Sequence, residues 1–174
     1  MNKRLWPLYV GRFQPFHNGH LYAVNYILKR ESGIMIAVGS CMNSHESENP
    51  FTFGERLLMI STTLDQARIP RKTWYAVGIP DTDFHLSWVP MVKALSLPFS
   101  TVYSNDPMTK TLFKEASYKI RGIPFLDKQR YSGTEIRRRM SLGEKWQDLV
   151  PKGTLEIIEQ IAGEERIKSL GARR

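Results

Sequence analysis

Two patterns of apolar residues alternate along the chain. Short runs (Leu5 to Val10, Ile34 to Val38, Trp74 to Val77, Ser100 to Tyr103, and a brief Tyr118 to Ile120) read as strands, with Leu5 to Val10 an unbroken apolar run as expected of a buried strand and Ile34 to Val38 rich in aliphatic residues. Between them lie stretches with helical spacing. His17 to Lys29 predicts a helix with Leu21, Val24 and Leu28 on its inner face. Thr52-Phe53-Gly54-Glu55 has the spacing of a capping box and opens a helix whose stripe is Leu57, Leu58, Ile60 and Leu64. A further helix is expected from Ser87 to Leu95. Asp106-Pro107 fits a cap followed by proline in the first helical position, with a helix to Ala116. Ser132-Gly133-Thr134-Glu135 is a second capping-box pattern, starting a helix through Met140, and two more helices are expected at 154–162 and 164–170. Residues 41–51 are polar and rich in turn formers, so they read as a loop.

Strands alternating with helices at this spacing imply right-handed βαβ units and an α/β, doubly wound parallel sheet, closed by helices at the C-terminus. The expectation is a single domain over residues 1–170, with 171–174 as a frayed tail. Ligands of such sheets bind beyond the carboxyl ends of the strands, where strand order reverses.

Composition adds limits rather than an answer. The 174 residues are 41% apolar and 24% charged, values of a folded domain large enough to bury a core. Cys41 is the only cysteine, so no disulfide or thiolate cage forms within the chain. That fits a reducing, cytoplasmic setting. No signal peptide is read at the N-terminus, and no run approaches the roughly 20 apolar residues of a membrane span. The formal charge of +8 predicts an affinity for anions, whether nucleic acid, a membrane surface or phosphorylated metabolites.

Two segments narrow that choice. Gly11-Arg12-Phe13-Gln14-Pro15-Phe16-His17-Asn18-Gly19-His20 runs from the first strand into the first helix. Gly11 permits a tight turn. His17 and His20 share a helix face, where imidazoles can donate to phosphate oxygens beside a favourable dipole. Gly19 leaves room for a ligand, and Arg12 supplies a guanidinium fork. Spacing alone favours a core histidine beside a surface one. A zinc site would need a third ligand, and His45 and His85 lie in separate loops. The second segment, Ser132-Gly133-Thr134-Glu135-Ile136-Arg137, places hydroxyls, a glycine and unsatisfied N–H groups at a helix start, followed by Arg137, Arg138 and Arg139. That is an anion site or a well-capped helix with a solvated basic face.

The first segment resembles the (H/T)xGH signature of the nucleotidyltransferase superfamily, in the form found in archaeal-type nicotinamide-nucleotide adenylyltransferases. The second is similar to the SxTxxR motif of the same superfamily. Gly39-Ser40, Asn49-Pro50-Phe51-Thr52, Gly54-Glu55-Arg56, Trp88 and Tyr103-Ser104 extend the likeness to about Leu170. The resemblance implies a Rossmann-like nucleotidyltransferase domain that condenses ATP with nicotinamide mononucleotide (NMN) to give NAD and pyrophosphate, by in-line attack of the mononucleotide phosphate on the α-phosphorus.

A phosphate monoester is mostly dianionic at neutral pH, with its second pKa near ~6. It therefore needs no carboxylate base, and catalysis becomes positioning and charge neutralisation. By resemblance, Gly11, Arg12, Phe13, His17, Gly19, His20, Ser132, Gly133, Thr134 and Arg137 bind ATP, with His17, His20, Arg12 and Arg137 catalytic. Ser40, Asp81, Thr82, His85 and Trp88 are expected to hold the mononucleotide, Trp88 by stacking. Relatives often carry Asn where His85 stands, and some carry Arg near Glu48. Mg²⁺ is expected to be held by phosphates, with no ligand from protein side chains. The implied partners are small nucleotides, with neither nucleic acid nor membrane, in a homo-oligomer such as a hexamer. The alternatives are adenylyl transfer to another phosphorylated acceptor and, from a different class, a basic RNA-binding module.

Overall fold

A computed structural model describes residues 5–127 and 129–171. The chain forms two compact units, each assembled from three separate stretches. Among the described residues, the first comprises 5–12, 24–41 and 70–124, and the second 13–23, 42–69 and those from 125 to 171.

The first unit holds the entire sheet. Its strands are β1 (Trp6–Gly11), β2 (Ile34–Val38), β3 (Trp74–Gly78), β4 (Phe99–Tyr103) and β5 (Lys119–Arg121). They are all parallel, in the order β3-β2-β1-β4-β5. Strand order therefore reverses beside β1, the strand that ends in Gly11. β2 is buried at every position, which is why it reads as an unbroken aliphatic run. Pro7 has no N–H to give to the ladder, and the β1–β4 register shifts between Trp6 and Pro7. At the β5 edge, Lys119 and Arg121 discourage further pairing. Leu8, Met35, Ala37 and Val102 from the sheet pack with Val89 and Val92 of α3 (Trp88–Leu95) and Phe113 of α4 (Pro107–Glu115). The Asp106 cap is as expected, its carboxylate accepting from the Thr109 N–H at 2.7 Å.

The second unit is helical: α2 (Phe53–Gln66), α5 (Gly133–Leu142), α6 (Lys152–Gln160) and α7 (Gly163–Gly171). Gly153 lets α6 lie directly on α2, since a Cβ there would sit 2.7 Å from the Thr63 nitrogen. The Thr63 and Thr154 hydroxyls meet at 3.1 Å across that crossing. α1 (Asn18–Leu28) gives its first turns to this unit and its last turn to the sheet unit.

Two predicted stripes are displaced. On α1 the buried positions are Ala23, Val24 and Ile27, with Leu21 and Leu28 only partly covered. On α2 they are Arg56, Met59, Ile60, Thr63 and Leu64, while Leu58 stays half exposed. On α2, counting only apolar residues rotates the stripe away from its true axis because Arg56 and Thr63 share the inner face. Gly171 closes α7 rather than opening a tail, and the rest of that expected tail, 172–174, lies outside the described residues.

Candidate active site

In the second unit, Phe13 follows β1 with a left-handed backbone (φ 54°) and the Gln14–Pro15 bond is cis. This turn delivers His17 to the position just before α1, whose first bonds run from His20 and Leu21 N–H to the His17 carbonyl. His17 is thus the cap of α1 rather than its first residue. The two imidazoles nevertheless stack, with centroids 3.6 Å apart and planes 22° from parallel. The His17 N–H donates to His20 Nδ1 at 3.2 Å, which leaves the His20 proton on Nε2. Phe13 and Phe16 close around His20, at 4.6 and 5.5 Å.

Burial makes both rings neutral. It lowers His17 to about 3. Burial also pushes His20 well below its ordinary value, and the neighbouring His17 adds to the effect. Among the described residues, His17 Nδ1 is buried with no hydrogen-bond partner. A buried donor or acceptor left in that state carries a desolvation penalty that an incoming polar ligand would relieve.

Gly19 also serves the protein's own packing. A Cβ there would lie 3.0 Å from the His17 ring, so the glycine makes room for that imidazole to fold back over the helix start.

α5 begins with Ser132, whose hydroxyl accepts from the Glu135 N–H at 3.2 Å. The reciprocal half of the expected box does not form. The Glu135 carboxylate turns to Arg138 (2.8 Å) and Arg139 (2.7 Å), which hold it at about 2. Arg138 also reaches Glu144. Of the arginine run, only Arg137 is buried. Its Nη1 donates to the Gln14 carbonyl at 2.8 Å and its Nε to the Ser47 carbonyl at 3.1 Å. The two sequence motifs therefore meet within one unit, guanidinium to backbone. Gly133 is required by the same contact, because a Cβ there would be 2.9 Å from the Gln14 carbonyl oxygen. Thr134 and Arg137 line a cavity of about 390 Å³ together with Ser47, Glu48 and Leu170.

Two features of this unit escaped sequence reading. Gln14, 2% exposed, clasps the Phe51 backbone: its Nε2 donates to the Phe51 carbonyl (2.9 Å) and its Oε1 accepts from the Phe51 N–H (3.0 Å). Arg166 donates to both carboxylate oxygens of Glu55 (2.7 and 2.8 Å) and to the Pro50 carbonyl (3.1 Å). The one available signal for Gln14 was a polar residue inside the run Phe13-Gln14-Pro15-Phe16.

The remaining predicted residues lie in the first unit. Gly11 accepts from the Gly39 N–H at 2.9 Å, and Arg12 is exposed just beyond it. Ser40, with φ 50°, donates to Asp81 at 3.1 Å. Thr82 ties its own turn, accepting from the Phe84 N–H and meeting the Ser87 hydroxyl. His85 is exposed in the short 3-10 turn His85–Ser87. Trp88 is half-buried and packs edge-on against Phe113 (5.7 Å, 73°). The structure thus brings Ser40 and Asp81 together, and it gives Trp88 one face in the core. Among the described residues no three His, Cys, Asp or Glu side chains form a metal-binding group, and no helix is long and apolar enough to cross a membrane.

The cytidylyltransferase-like family matches residues 8–139. The nicotinamide-nucleotide adenylyltransferase of Methanococcus aeolicus is 42% identical over 166 residues, 95% of each chain. That of Thermoplasma acidophilum is 44% identical, covering 92% of this chain and 89% of the relative. In fold, the chain matches a bifunctional NMN adenylyltransferase/ADP ribose pyrophosphatase from Francisella tularensis with a TM-score of 0.80 at 21% identity. That match covers 97% of this chain, which spans 52% of the bifunctional protein. A structure of such a bifunctional protein complexed with AMP and a Mn ion matches with a TM-score of 0.78.

Proposed function

The chain belongs to the nicotinamide-nucleotide adenylyltransferases of the cytidylyltransferase-like family, and we propose that it makes NAD by transferring the adenylyl group of ATP to nicotinamide mononucleotide. An oxygen of the mononucleotide 5′-phosphate attacks the α-phosphorus. The bond from that phosphorus to the bridging β-phosphate oxygen breaks in line, and pyrophosphate leaves. The nucleophile is already an anion, so no side chain has to remove a proton. The work left to the protein is alignment and neutralisation of charge.

The observation that carries this reading is the Arg137–Gln14 hydrogen bond beside the stacked imidazoles. His20, with its proton on Nε2, is a neutral N–H donor to a phosphate oxygen near the reacting phosphorus. His17 serves a neighbouring phosphate. Ser132, Gly133 and Thr134 offer the first N–H groups of α5 and two hydroxyls to the terminal phosphates. Gly11, Phe13 and Gly19 set the shape of the first motif. Arg12 and Arg137 are each assigned to polyphosphate charge that grows as the bond breaks. On the mononucleotide side, Ser40, Asp81, Thr82 and His85 are polar partners and Trp88 is the stacking surface.

A divalent cation suits this chemistry as a companion of ATP. Most groups proposed to meet the triphosphate are imidazoles, guanidiniums and N–H donors, which fit phosphate oxygen better than a hard cation, and no carboxylate is among them. Mg²⁺ would therefore be carried by the phosphates, where it would lower their charge. Exposed apolar side chains such as Phe84 and Leu86 support a homo-oligomer, with a hexamer as the specific expectation that sedimentation would check. The lone cysteine fits the cytoplasm as its compartment.

Incubating the protein with ATP, Mg²⁺ and either nicotinamide or nicotinic acid mononucleotide, and following the dinucleotide, tests the reading. Turnover of a different phosphorylated acceptor, with neither mononucleotide used, would overturn it. His20→Ala should lose about 10² to 10³ in turnover while remaining folded.

A further inference from the structure

Three consecutive backbone residues ahead of α2 are each held by side chains from elsewhere in the second unit. The Pro50 carbonyl accepts from Arg166 (3.1 Å). Phe51 is clasped at both N–H and C=O by Gln14. The Thr52 N–H donates to Glu55 at 2.8 Å. Phe51 itself is fully buried, and α7 approaches it so closely that a Cβ on Gly163 would lie 2.8 Å from the ring. This short segment is a fixed post. Gln14 connects it to the histidine turn through both ends of a side-chain amide, while its own carbonyl accepts from Arg137.

We propose that Gln14 is a positioning residue for adenylyl transfer: clasped on Phe51, it sets the place of the His17–His20 pair and of the Arg137 guanidinium together. It touches no reacting atom. A displacement of Gln14 moves both sets of phosphate-binding groups, because His17 is three residues further along the same turn and Arg137 rests on the Gln14 carbonyl. Misplacement by about 1 Å is enough to cost on the order of 100-fold in rate. The inference rests on the adenylyl-transfer reading.

Gln14→Glu provides a test that loss of folding does not mimic. A protonated Glu reproduces both hydrogen bonds, with C=O accepting from Phe51 N–H and O–H donating to Phe51 C=O. An ionised Glu turns a lone pair on the Phe51 carbonyl. The kcat of Gln14→Glu, divided by that of the wild type at the same pH, should fall about ten- to hundred-fold from pH ~5.5 to pH ~9. Taking the ratio removes titration of the substrate phosphate. Gln14→Met, similar in size and unable to make either bond, should be slow at every pH, with KM for the mononucleotide within about two-fold of wild type. Folded fraction is read by near-UV circular dichroism at each pH.

If Gln14→Glu does not fold, Arg166→Gln frees the post at Pro50 from the far side and should lower kcat a few-fold with the same unchanged KM. A flat pH ratio in folded Gln14→Glu overturns the proposal, as does wild-type kcat in folded Gln14→Met or Arg166→Gln. The wild type run in the same assay keeps the two readings apart, since its failure to form dinucleotide would count against the function and not against Gln14.

Discussion

Helices α2 and α5 begin with nearly the same words, Thr-Phe-Gly-Glu and Ser-Gly-Thr-Glu, and do different things with them. At α2 the box closes: Thr52 accepts from the Glu55 N–H, and Glu55 accepts from the Thr52 N–H. Glu55 is further locked by Arg166. At α5 only the hydroxyl half forms, because Arg138 and Arg139, three and four residues on, draw the Glu135 carboxylate along the helix. One start is sealed and bears load. The other keeps its acidic side chain away from its first N–H groups, as the anion site proposed there would require. A capping pattern therefore says where a helix begins, and the residues one turn later decide whether that beginning can receive a ligand.

The largest test of the contrast is Arg137→Ala, which removes the buried guanidinium that α5 directs at the histidine turn. Turnover should drop about 10² to 10³-fold, measured as NAD formed per folded protein. Next come the two glycines. Gly133→Ala forces a methyl against the Gln14 carbonyl, from 2.9 Å, and should destabilise by about 1 to 3 kcal/mol while slowing turnover. Gly54→Ala meets nothing within 4 Å and should stabilise by up to about 1 kcal/mol, with activity unchanged. Thermal melts and kcat on the two variants would collapse the comparison if they behaved alike.

Thr52→Ala and Ser132→Ala should each lose about 1 kcal/mol of stability. Only Ser132→Ala should also slow turnover, by roughly ten-fold. The smallest effect is acid sensitivity. Hydrogen bonds from Arg138 and then Arg139 lower Glu135 from 4.5 to about 2, so the folded state binds its proton less readily than the unfolded chain. Its contribution is complete above about pH 4.5 and disappears as pH falls towards 2. These are exposed pairs, worth about 1 kcal/mol or less, and the stability difference between wild type and Glu135→Gln from pH 6 to pH 2 would reveal it.

Strand β2 was readable because burial at every position leaves an uninterrupted aliphatic signature, Ile34 to Val38. Caps at Thr52 and Asp106 were readable because their chemistry is local. By resemblance the chain also singled out the two segments that meet in the second unit, with Arg137 and the histidines in them. It did not reveal that Arg56 lies on the inner face of α2, because a buried arginine looks like a solvated one until its surroundings are known. Nor did it reveal that Gly19 and Gly133 accommodate neighbouring protein groups. Those neighbours, the His17 ring folded back and the Gln14 carbonyl 119 residues earlier, are products of tertiary structure. The Gln14 clasp on Phe51 belongs to the same class, since no spacing rule links positions that far apart.

The helical unit is stitched from an early stretch, a middle one and a late one from 125 to 171. A ribosome releases His17 and His20 long before Arg137 and Arg166 exist. Until the final helices emerge, the imidazole turn lacks the arginine on its carbonyl and Phe51 lacks the helix that covers it. Nascent or truncated chains should therefore remain without affinity for nucleotide, and competence should arrive in one late step.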